Sequence, residues 1–299
     1  MWFSRYNLIE AVKNNDINRV NSILNNGKEN INAKDRDGWT ALIWASCKGD
    51  LEIVKLLVEN GADVNIKSDI GNTALMFASE YGQLDIVKYL VENGADINIK
   101  DDDGESALIH ALEDTKKEKA LEIVQYLIDN GADINTTNNY YGKTALMIAS
   151  SSGHLEMVKL LIENGADINA KDKDKDGWTA LIWASCKGDL EIVKLLVENG
   201  ADIDAKDNEG WSALMEASYE GHLEVVKYLV EKGIDRVNVK DNDGWTALMR
   251  ASWRGYSEIV QYLVEIGADI NIKNEDGKTA LDLADTEEIK EILRKAGDK

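Results

Sequence analysis

Apolar residues recur along this chain with helical spacing, in blocks separated by the same polar letters. The run L-E-I-V-K-L-L-V-E-N at residues 51–60 places leucine, isoleucine and valine on one side of a helix and glutamate and lysine on the other. A shorter block precedes it, A-L-I-W-A-S from Ala41, with an apolar face of its own. Each pair of blocks therefore predicts a short helix followed by a longer one.

Glycine and hydroxyl residues mark the ends of these predicted helices. A D-x-D-G-W-like turn comes first, and its glycine, such as Gly38, can adopt the positive φ of a tight turn. Thr or Ser then caps the short helix, and a second glycine, such as Gly49, separates the two helices. The letters N-G-A-D end the longer helix with a left-handed glycine. One unit therefore consists of turn, helix, turn and longer helix.

This unit is repeated along the chain. The 27 residues 37–63 recur letter for letter at 176–202, and weaker copies fill the rest. Successive capping residues are 33, 33, 38, 35, 33, 34 and 33 positions apart. They are Thr40, Thr73, Ser106, Thr144, Thr179, Ser212, Thr246 and Thr279. A period near 33 residues is the ankyrin spacing.

The repeated letters resemble those of the ankyrin family. The segment D-x-x-G-x-T-A-L stands where that family has D-x-x-G-x-T-P-L-H, and A-S-x-x-G-H-L-E-V-V-K-Y-L-V-E-x-G-A-D-I-N follows it. The family's proline is always alanine here, and its histidine is Ile, Met or, in the last copy, Asp282. The resemblance implies an all-α solenoid of about nine helix-turn-helix repeats including caps, with short hairpin tips and a concave binding face.

We expect a single domain over residues 1–299, because stacked repeats share one continuous core. Residues 1–36 form the predicted N-terminal cap, in which polar residues such as Asn14 and Asn18 replace small ones. Residues 37–275 form seven internal repeats, and 276–299 form a truncated C-terminal cap that ends in a charged helix. The fourth unit carries an insertion at 113–119, which is either a partner contact or, as we favour, a tolerated surface insertion.

Charge and cysteine content narrow the classes of partner and compartment. The 34 basic and 55 acidic residues give a formal net charge of −21, which repels phosphate backbones and anionic lipids. We therefore expect neither duplex nucleic acid nor a membrane as a partner. Cys47 and Cys186 lie four repeats apart, beyond disulfide reach, so we expect free thiols. With no leader or apolar span, the sequence favours a cytoplasmic monomer.

No motif for catalysis or for a metal or cofactor is present in the sequence. Phosphate-binding, dinucleotide-binding, esterase and zinc-protease motifs are absent. The opening of a calcium loop occurs at residues 172–177, but its twelfth position is Trp183 where a bidentate glutamate is required. His110 stands among apolar neighbours, and neither His154 nor His222 has a second ligand at metal spacing. We predict a chain that is not an enzyme and binds no metal or cofactor.

Binding residues are sought among positions that vary between repeats. The resemblance implies that they lie at the turn tips and on the exposed side of the first helix. Tryptophan precedes the capping residue in four of eight copies and recurs four positions after it in two. The predicted partner-binding residues are Trp39, Trp44, Trp178, Trp183, Lys187, Trp211, Glu216, Tyr219, Trp245, Arg250, Trp253 and Arg254. As an alternative, a tryptophan before the capping residue only packs on the neighbouring turn.

Three classes of function remain open. The leading hypothesis is a non-catalytic scaffold that binds a protein or peptide, with basic character favoured by the acidic body. A second is a nucleotide sensor, because residues 209–219 with Trp178 resemble the ankyrin region of oligoadenylate-dependent ribonucleases, which stack adenines on aromatic side chains. A third is self-association through exposed tryptophan.

Overall fold

The fold is described from a computed structural model, which covers residues 7–112, 119–139, 141–173, 176–233 and 237–297. These residues form helices joined by turns, and within them β-structure is limited to two isolated bridges, Thr137–Thr144 and Lys206–Ser212. The all-α prediction is therefore confirmed. The chain divides into two compact units, Met1–Ala145 and Leu146–Lys299. The single domain with caps at 1–36 and 276–299 stays a prediction.

In unit 1, short first helices alternate with longer second helices. First helices pack on first helices (α1 on α3, α3 on α5, α5 on α7), and second helices pack on second helices. The helices are α1 (Asn7–Lys13), α2 (Ile17–Asn26), α3 (Ala41–Lys48), α4 (Leu51–Glu59), α5 (Ala74–Glu80), α6 (Leu84–Glu92), α7 (Ala107–His110) and α8 (Ala120–Asp129). Apart from Lys119, the insertion predicted at 113–119 lies outside the described residues.

Unit 2 repeats this packing, with α11 on α13, α13 on α15 and α15 on α17. The helices that follow α8 are α9 (Ala145–Ser151), α10 (Leu155–Glu163), α11 (Ala180–Lys187), α12 (Leu190–Glu198), α13 (Ala213–Glu220), α14 (Leu223–Lys232), α15 (Ala247–Arg254), α16 (Ser257–Glu265), α17 (Ala280–Leu283) and α18 (Glu287–Gly297). Residues 174 and 175 of the segment that resembles a calcium loop lie outside the described residues. Among the described helices, none combines the length and the apolar character needed to cross a bilayer.

Hydroxyl caps begin most of the first helices. The Thr40 side chain accepts a hydrogen bond from Ile43 N at 3.2 Å, which satisfies one free N–H of the first turn. Thr73, Thr179, Ser212, Thr246 and Thr279 cap their helices in the same way. The prediction is wrong for Ser106, whose hydroxyl makes no capping bond. That helix, α7, is a single turn of four residues and has little to stabilise.

The core lies between the two helix layers of each unit. The second helices bury the apolar side predicted from the sequence, and in α4 this places Ile53, Val54 and Leu57 at 0% exposure. Complete burial of one such side chain stabilises the fold by about 1.5–3 kcal/mol. On the first helices, small residues such as Ala45 and Ser46 are also fully buried, which allows stacked helices to approach closely.

Polar side chains join consecutive turns at the end of the second helices. Asn65 donates from Nδ2 to Gly94 O at 3.1 Å and accepts from Asp96 N at 2.8 Å through Oδ1. Asn169 makes the equivalent pair of bonds to Gly200 O and Asp202 N in unit 2. Since one amide group satisfies a donor and an acceptor of the next repeat, it sets the register between neighbouring repeats.

Glycine is required where two turns approach each other. Gly210 has φ +85°, and a Cβ at this position would lie 2.8 Å from Asn242 N of the following turn. Asn242 N in turn donates to Glu209 O at 3.0 Å. A side chain at this position therefore meets both backbone strain and a steric clash.

Replacing Gly210 with alanine is expected to destabilise the protein more than replacing Gly200. Both have positive φ, so each substitution costs about 1 kcal/mol in backbone strain, but a Cβ at Gly200 meets no atom within 4 Å. The loss of stability in Gly210→Ala beyond that in Gly200→Ala measures the contribution of the close contact between the two turns. Thermal unfolding by circular dichroism gives the comparison, and equal losses in the two variants would contradict the close approach.

Candidate functional site

The first residue of each turn organises the residues around it. Asp35 Oδ1 accepts from Asp37 N at 3.1 Å and from Trp39 N at 3.0 Å, which closes the turn. Its Oδ2 accepts from Trp44 Nε1 at 2.9 Å and from Lys13 Nζ at 3.1 Å. Burial on its own raises the pKa of Asp35, but the bonds from Trp44, Trp39, Lys13 and Asp37 outweigh it and hold the pKa below its usual value. One carboxylate thus joins the turn to the first helix.

In unit 1 the predicted tryptophans are brought together. The Trp39 ring lies 4.5 Å from Trp44 and 4.4 Å from Phe77 of the next repeat, measured between centroids. Lys13 Nζ stands 4.3 Å from the Trp44 ring centre. Because Trp39 and Trp44 are half-buried and Phe77 is buried, these rings contribute to packing between repeats. A binding role for Trp39 and Trp44 stays a prediction.

His110 is not isolated among apolar neighbours, contrary to the expectation from sequence. Its Nε2 lies 2.9 Å from Asp101 Oδ2, and its Nδ1 lies 3.8 Å from a Glu80 carboxylate oxygen. Asp101 precedes His110 by nine residues, and Asp35 precedes Trp44 by the same number. In both repeats the turn brings together two residues that are distant in the sequence. Burial would raise the pKa of Asp101, but bonds from His110 and Glu105 N lower it.

Three ligand-type side chains meet near His110. One atom each from Asp101, Glu105 and His110 lies within 4.8 Å of the others, a spacing that can accommodate a metal ion. Two of them already have other partners, because His110 bonds Asp101 and Glu105 Oε1 accepts from Asn138 Nδ2 at 3.1 Å. The His110–Asp101 bond also repeats the one between Trp44 and Asp35. The group is therefore explained as a turn-to-helix link.

In unit 2 the predicted pair Trp178 and Trp183 is also in contact, with ring centroids 4.5 Å apart. The Trp183 side chain partly offsets the burial that raises the pKa of the Asp172 carboxyl group in its own turn. Trp178 reaches the next repeat instead, and its Nε1 donates to Asp207 Oδ2 at 3.2 Å. Lys187 is exposed at the end of α11 and contacts no ring in the described part of the chain. Both tryptophans are half-buried, and Trp178 is anchored by a carboxylate of the next repeat.

The turns and first helices of the next two repeats carry one continuous group of rings and guanidinium groups. We call it the arginine–aromatic cluster, and it consists of Trp211, Tyr219, Trp245, Arg250, Trp253 and Arg254. Tyr219 contacts Trp211 with centroids 5.4 Å apart and Trp253 with centroids 5.9 Å apart. Trp245 contacts Trp253 at 6.1 Å. Four aromatic rings from two repeats therefore form one surface.

Two arginines hold these rings in place. The Arg250 guanidinium lies 3.7 Å from the Trp211 ring centre and 4.4 Å from that of Trp245, and its Nη2 donates to Asp241 Oδ2. The Arg254 guanidinium lies 4.6 Å from the Tyr219 ring centre, and its Nε donates to Tyr219 O at 3.1 Å. Arg250 is 8% exposed, whereas Trp253 is 47% exposed. Only the outer rings of the cluster are therefore available to a partner.

An acidic group borders the arginine–aromatic cluster. Glu216 is 5% exposed, and burial, followed by the carboxylates of Asp207 and Glu220, raises its pKa to about 8. Arg250 lowers the pKa in part. Glu216 therefore holds its proton at neutral pH. Sequence reasoning named Glu216 as a site residue but missed this protonation, which depends on burial.

The two cysteines are free, as predicted from the sequence. Burial raises the pKa of Cys186 to about 11, and the neighbouring Glu216 and Glu220 carboxylates contribute to the shift. A thiol in this environment stays protonated and is a poor nucleophile. Burial likewise raises the pKa of Cys47, together with the Glu80 carboxylate. Neither thiol is activated by its surroundings.

Two clefts in the described residues lie outside the predicted site. One, of about 250 Å³, is lined by Ile203, Asp204, Lys206, Ser212, Leu214, Leu229 and Val239. A second, of about 390 Å³, is lined by Asn15, Lys48, Gly49, Asp50 and Leu51. Neither lining includes a predicted site residue.

Comparison with known families gives ankyrin repeats along the whole described chain. The family model described as "Ankyrin repeats (3 copies)" matches residues 8–101, 98–172, 171–241, 206–274 and 235–297. These matches overlap and leave out only residues at the two ends. The repeat family predicted from the letters of each unit is therefore confirmed.

Two curated proteins share short stretches with the chain. One is the acyl-CoA-binding domain-containing protein 6 homolog of Dictyostelium discoideum, 55% identical over 49 residues, which are 16% of this chain and 17% of that protein. The other is the palmitoyltransferase AKR1 of Debaryomyces hansenii, 40% identical over 57 residues, 19% of this chain and 7% of that protein. The chain thus matches less than a fifth of the length of either relative.

The raised pKa of Glu216 predicts a stability that falls as pH rises. The unfolded chain releases this proton near pH 4.5, whereas the folded protein keeps it until about pH 8. Between these values the folded state binds more protons, so stability decreases by at most about 1.4 kcal/mol per pH unit. Glu216→Gln is expected to remove this loss. The free energy of unfolding of the variant, relative to that of the wild type, is therefore expected to increase from pH 5 to 8 and to stay constant above pH 8. Urea unfolding against pH measures it, with Glu220→Gln as the control; parallel wild-type and Glu216→Gln profiles would contradict it.

Changing Trp44 to phenylalanine is expected to lower the free energy of unfolding more than changing Trp39 to phenylalanine. Trp44→Phe removes the N–H donor to Asp35 and is expected to cost about 1 kcal/mol. Trp39→Phe keeps most of the ring contact, and the Trp39 indole N–H has no hydrogen-bond partner in the described residues, so its loss is smaller. Urea unfolding compares the two, and a greater loss in Trp39→Phe would contradict the assigned role of the Asp35 bond.

Proposed function

Because this chain belongs to the ankyrin repeat family, whose repeats generally mediate protein–protein interaction, we propose that it is a non-catalytic binding module. Its partner is a protein or peptide segment that docks on the arginine–aromatic cluster of α13 and α15. The observation that carries the proposal is Trp253, which is 47% exposed yet held on both sides by Tyr219 and Trp245.

Exposed aromatic residues in such a setting are suited to binding. Tryptophan, tyrosine and arginine dominate the binding energy of protein interfaces because a large rigid side chain buries much area. In the arginine–aromatic cluster these residue types are contiguous across two repeats. A lone exposed apolar side chain, such as Ile70 at 59% exposure, is common on protein surfaces and suggests no partner.

The arginines reduce the cost of ordering this surface. Arg250 is fixed by Asp241 and by two rings, and Arg254 is fixed on Tyr219. Side chains that are already ordered lose little conformational entropy when a partner binds. The arginine–aromatic cluster is therefore preorganised for docking.

Electrostatics favour a partner segment with basic residues. The chain carries a formal net charge of −21, and the carboxylates of Asp207 and Glu220 lie near Glu216 at the border of the arginine–aromatic cluster. Opposite charge on a partner accelerates encounter and selects among partners. The rings supply the contact area, and the surrounding acidic residues favour a positively charged partner segment.

Nucleotide binding is the second candidate, supported by the stacked rings and the two arginines. It is less favoured because the space between the Trp211 and Trp245 rings, where a base would stack, holds the Arg250 guanidinium. Self-association through Trp253 is the third candidate. The protonated Cys186 thiol beside the arginine–aromatic cluster is consistent with a chain that is not an enzyme, and two free cysteines favour a reducing compartment such as the cytoplasm.

Trp253→Ala is expected to weaken peptide binding at least tenfold without loss of stability, because the ring is half-exposed and contributes to the surface. Peptides selected on the wild-type protein from a random display library are titrated against wild type and variant by calorimetry. A tenfold change corresponds to about 1.4 kcal/mol. The control is Tyr141→Ala, since Tyr141 is a ring of similar exposure, 49%, in the other unit.

The alternatives give different results in this experiment. If selected peptides bind wild type and Trp253→Ala equally, the arginine–aromatic cluster is not the docking surface. Titration of adenosine monophosphate that saturates and is lost in Trp253→Ala would replace the protein partner with a nucleotide. A mass above that of one chain by light scattering, reduced by the same substitution, would favour self-association.

A further inference from the structure

A recurring hydrogen bond joins the first helix of a repeat to its own turn. The residue four positions after the capping hydroxyl donates to the first residue of the turn. Trp44 Nε1 bonds Asp35 Oδ2, His110 Nε2 bonds Asp101 Oδ2, and Arg250 Nη2 bonds Asp241 Oδ2. Each of these pairs is nine residues apart. Trp183 holds the equivalent position in its repeat and acts on the pKa of Asp172 across a longer turn. The turn carboxylate is the acceptor in each case.

The repeat of α13 departs from this rule. Glu216 stands at the donor position and Asp207, nine residues earlier, at the acceptor position. Two acidic residues therefore occupy these positions, and Asp207 is the charged group that raises the pKa of Glu216 most after burial. The equivalent residues are the donors Trp44, His110 and Arg250 in three repeats and the apolar Phe77, Ile148 and Leu283 in three others. Glu216 can donate only while it is protonated, so its ionised form has no donor to give.

Asp207 nevertheless obtains its hydrogen bonds. Its Oδ1 accepts from Trp211 N at 2.7 Å and Glu209 N at 2.9 Å, and its Oδ2 accepts from Trp178 Nε1 of the preceding repeat at 3.2 Å. Glu216 does not, because its carboxyl group has no hydrogen-bond donor in the described residues. A side chain that is 5% exposed and lacks a partner is costly to keep.

The groups around Glu216 are mostly acidic. Asp176, Asp207 and Glu220 all raise its pKa, and Arg250 is the cation that lowers it. Arg250 is committed elsewhere, to Asp241 and to the rings of Trp211 and Trp245. Cys186 also lies close, and its thiol is protonated at neutral pH because its pKa is about 11. The surroundings thus attract a positive charge that the protein does not provide.

We propose that Glu216 is the anchor for a lysine or arginine side chain of a partner protein, which supplies the hydrogen-bond donor that the Glu216 carboxyl group lacks. The inference rests on the proposed function and names the chemistry of the partner at one position. Glu216 is the acceptor of the incoming cation, and Asp207, the acidic residue that raises its pKa most, is already bound by Trp178 Nε1 at 3.2 Å.

Binding of the cation releases a proton. The Glu216 O–H bond breaks, the proton passes to solvent, and the carboxylate forms an ion pair with the partner's ammonium or guanidinium group. Affinity therefore rises with pH up to about 8, by as much as tenfold per unit, and is constant above that value. The other titratable and charged groups that face Glu216 are Asp176, Asp207, Glu220, Cys186 and Arg250.

The test uses n-butylguanidinium and n-butylammonium as probes on the full chain. The Glu216 carboxyl signal is followed by carbon NMR during titration with each probe and with pH. We expect saturable binding, a Glu216 pKa lowered by a unit or more at saturation, and a loss of at least tenfold in affinity in Glu216→Gln. Glu216→Arg, which copies the Arg250 of the next repeat, is expected to abolish binding because the donor is then internal.

Glu220→Gln is the matched control, since it removes one acidic group of the same helix and leaves Glu216 in place. Equal weakening in Glu216→Gln and Glu220→Gln would overturn the proposal, because binding would then follow net charge alone. A Glu216 pKa that no probe shifts would also overturn it and leave a bound proton as the only occupant. Preference for adenosine monophosphate over both cations would overturn it in favour of a nucleobase site.

This result is separable from that of the proposed function. If selected peptides require Trp253 but bind Glu216→Gln as well as wild type, the docking surface stands and the Glu216 anchor fails. If butylguanidinium binds at Glu216 while Trp253→Ala has no effect on any peptide, the cation site stands and the aromatic docking surface fails.

Discussion

The hydrogen bonds made by the first residue of each turn set the geometry on which the rest of a repeat depends. Through one oxygen Asp35 closes its turn, and through the other it holds the Trp44 side chain on the first helix. A carboxylate buried in this way is stabilised only if its acceptors are filled. A donor on the first helix fills this acceptor for Asp35, Asp101 and Asp241, whereas Trp178 of the preceding repeat fills it for Asp207.

This requirement explains why tryptophans with similar positions in the sequence have different roles. Trp44 supplies a donor to its own turn, and Trp178 supplies one to the next turn. In the repeat of α15 the donor is Arg250. The same guanidinium group lies against the rings of Trp211 and Trp245, so one side chain serves both the turn-to-helix bond and the arginine–aromatic cluster.

Much of the fold could be predicted from the sequence because every repeat is built from the same local signals. Helical spacing of apolar residues, a capping hydroxyl and left-handed glycines act over a few residues, so their effect can be read without the rest of the chain. Two predictions from local sequence were wrong. Ser106 lacks the capping bond, and His110 is not isolated among apolar residues, because its Nε2 lies 2.9 Å from Asp101 Oδ2. The partner of His110 is nine residues away and comes close only when the turn folds.

By itself, the sequence of this protein determined the repeat family, the order of short and long helices, and the set of residues from which a binding surface could be built. These properties follow from local spacing and from letters that recur at a fixed period. Only the tertiary structure decided which of those residues share contacts, that Arg250 lies between two rings, and that Glu216 holds a proton. Burial and the distance between charges on different repeats control these properties, and both arise only when one repeat packs against the next.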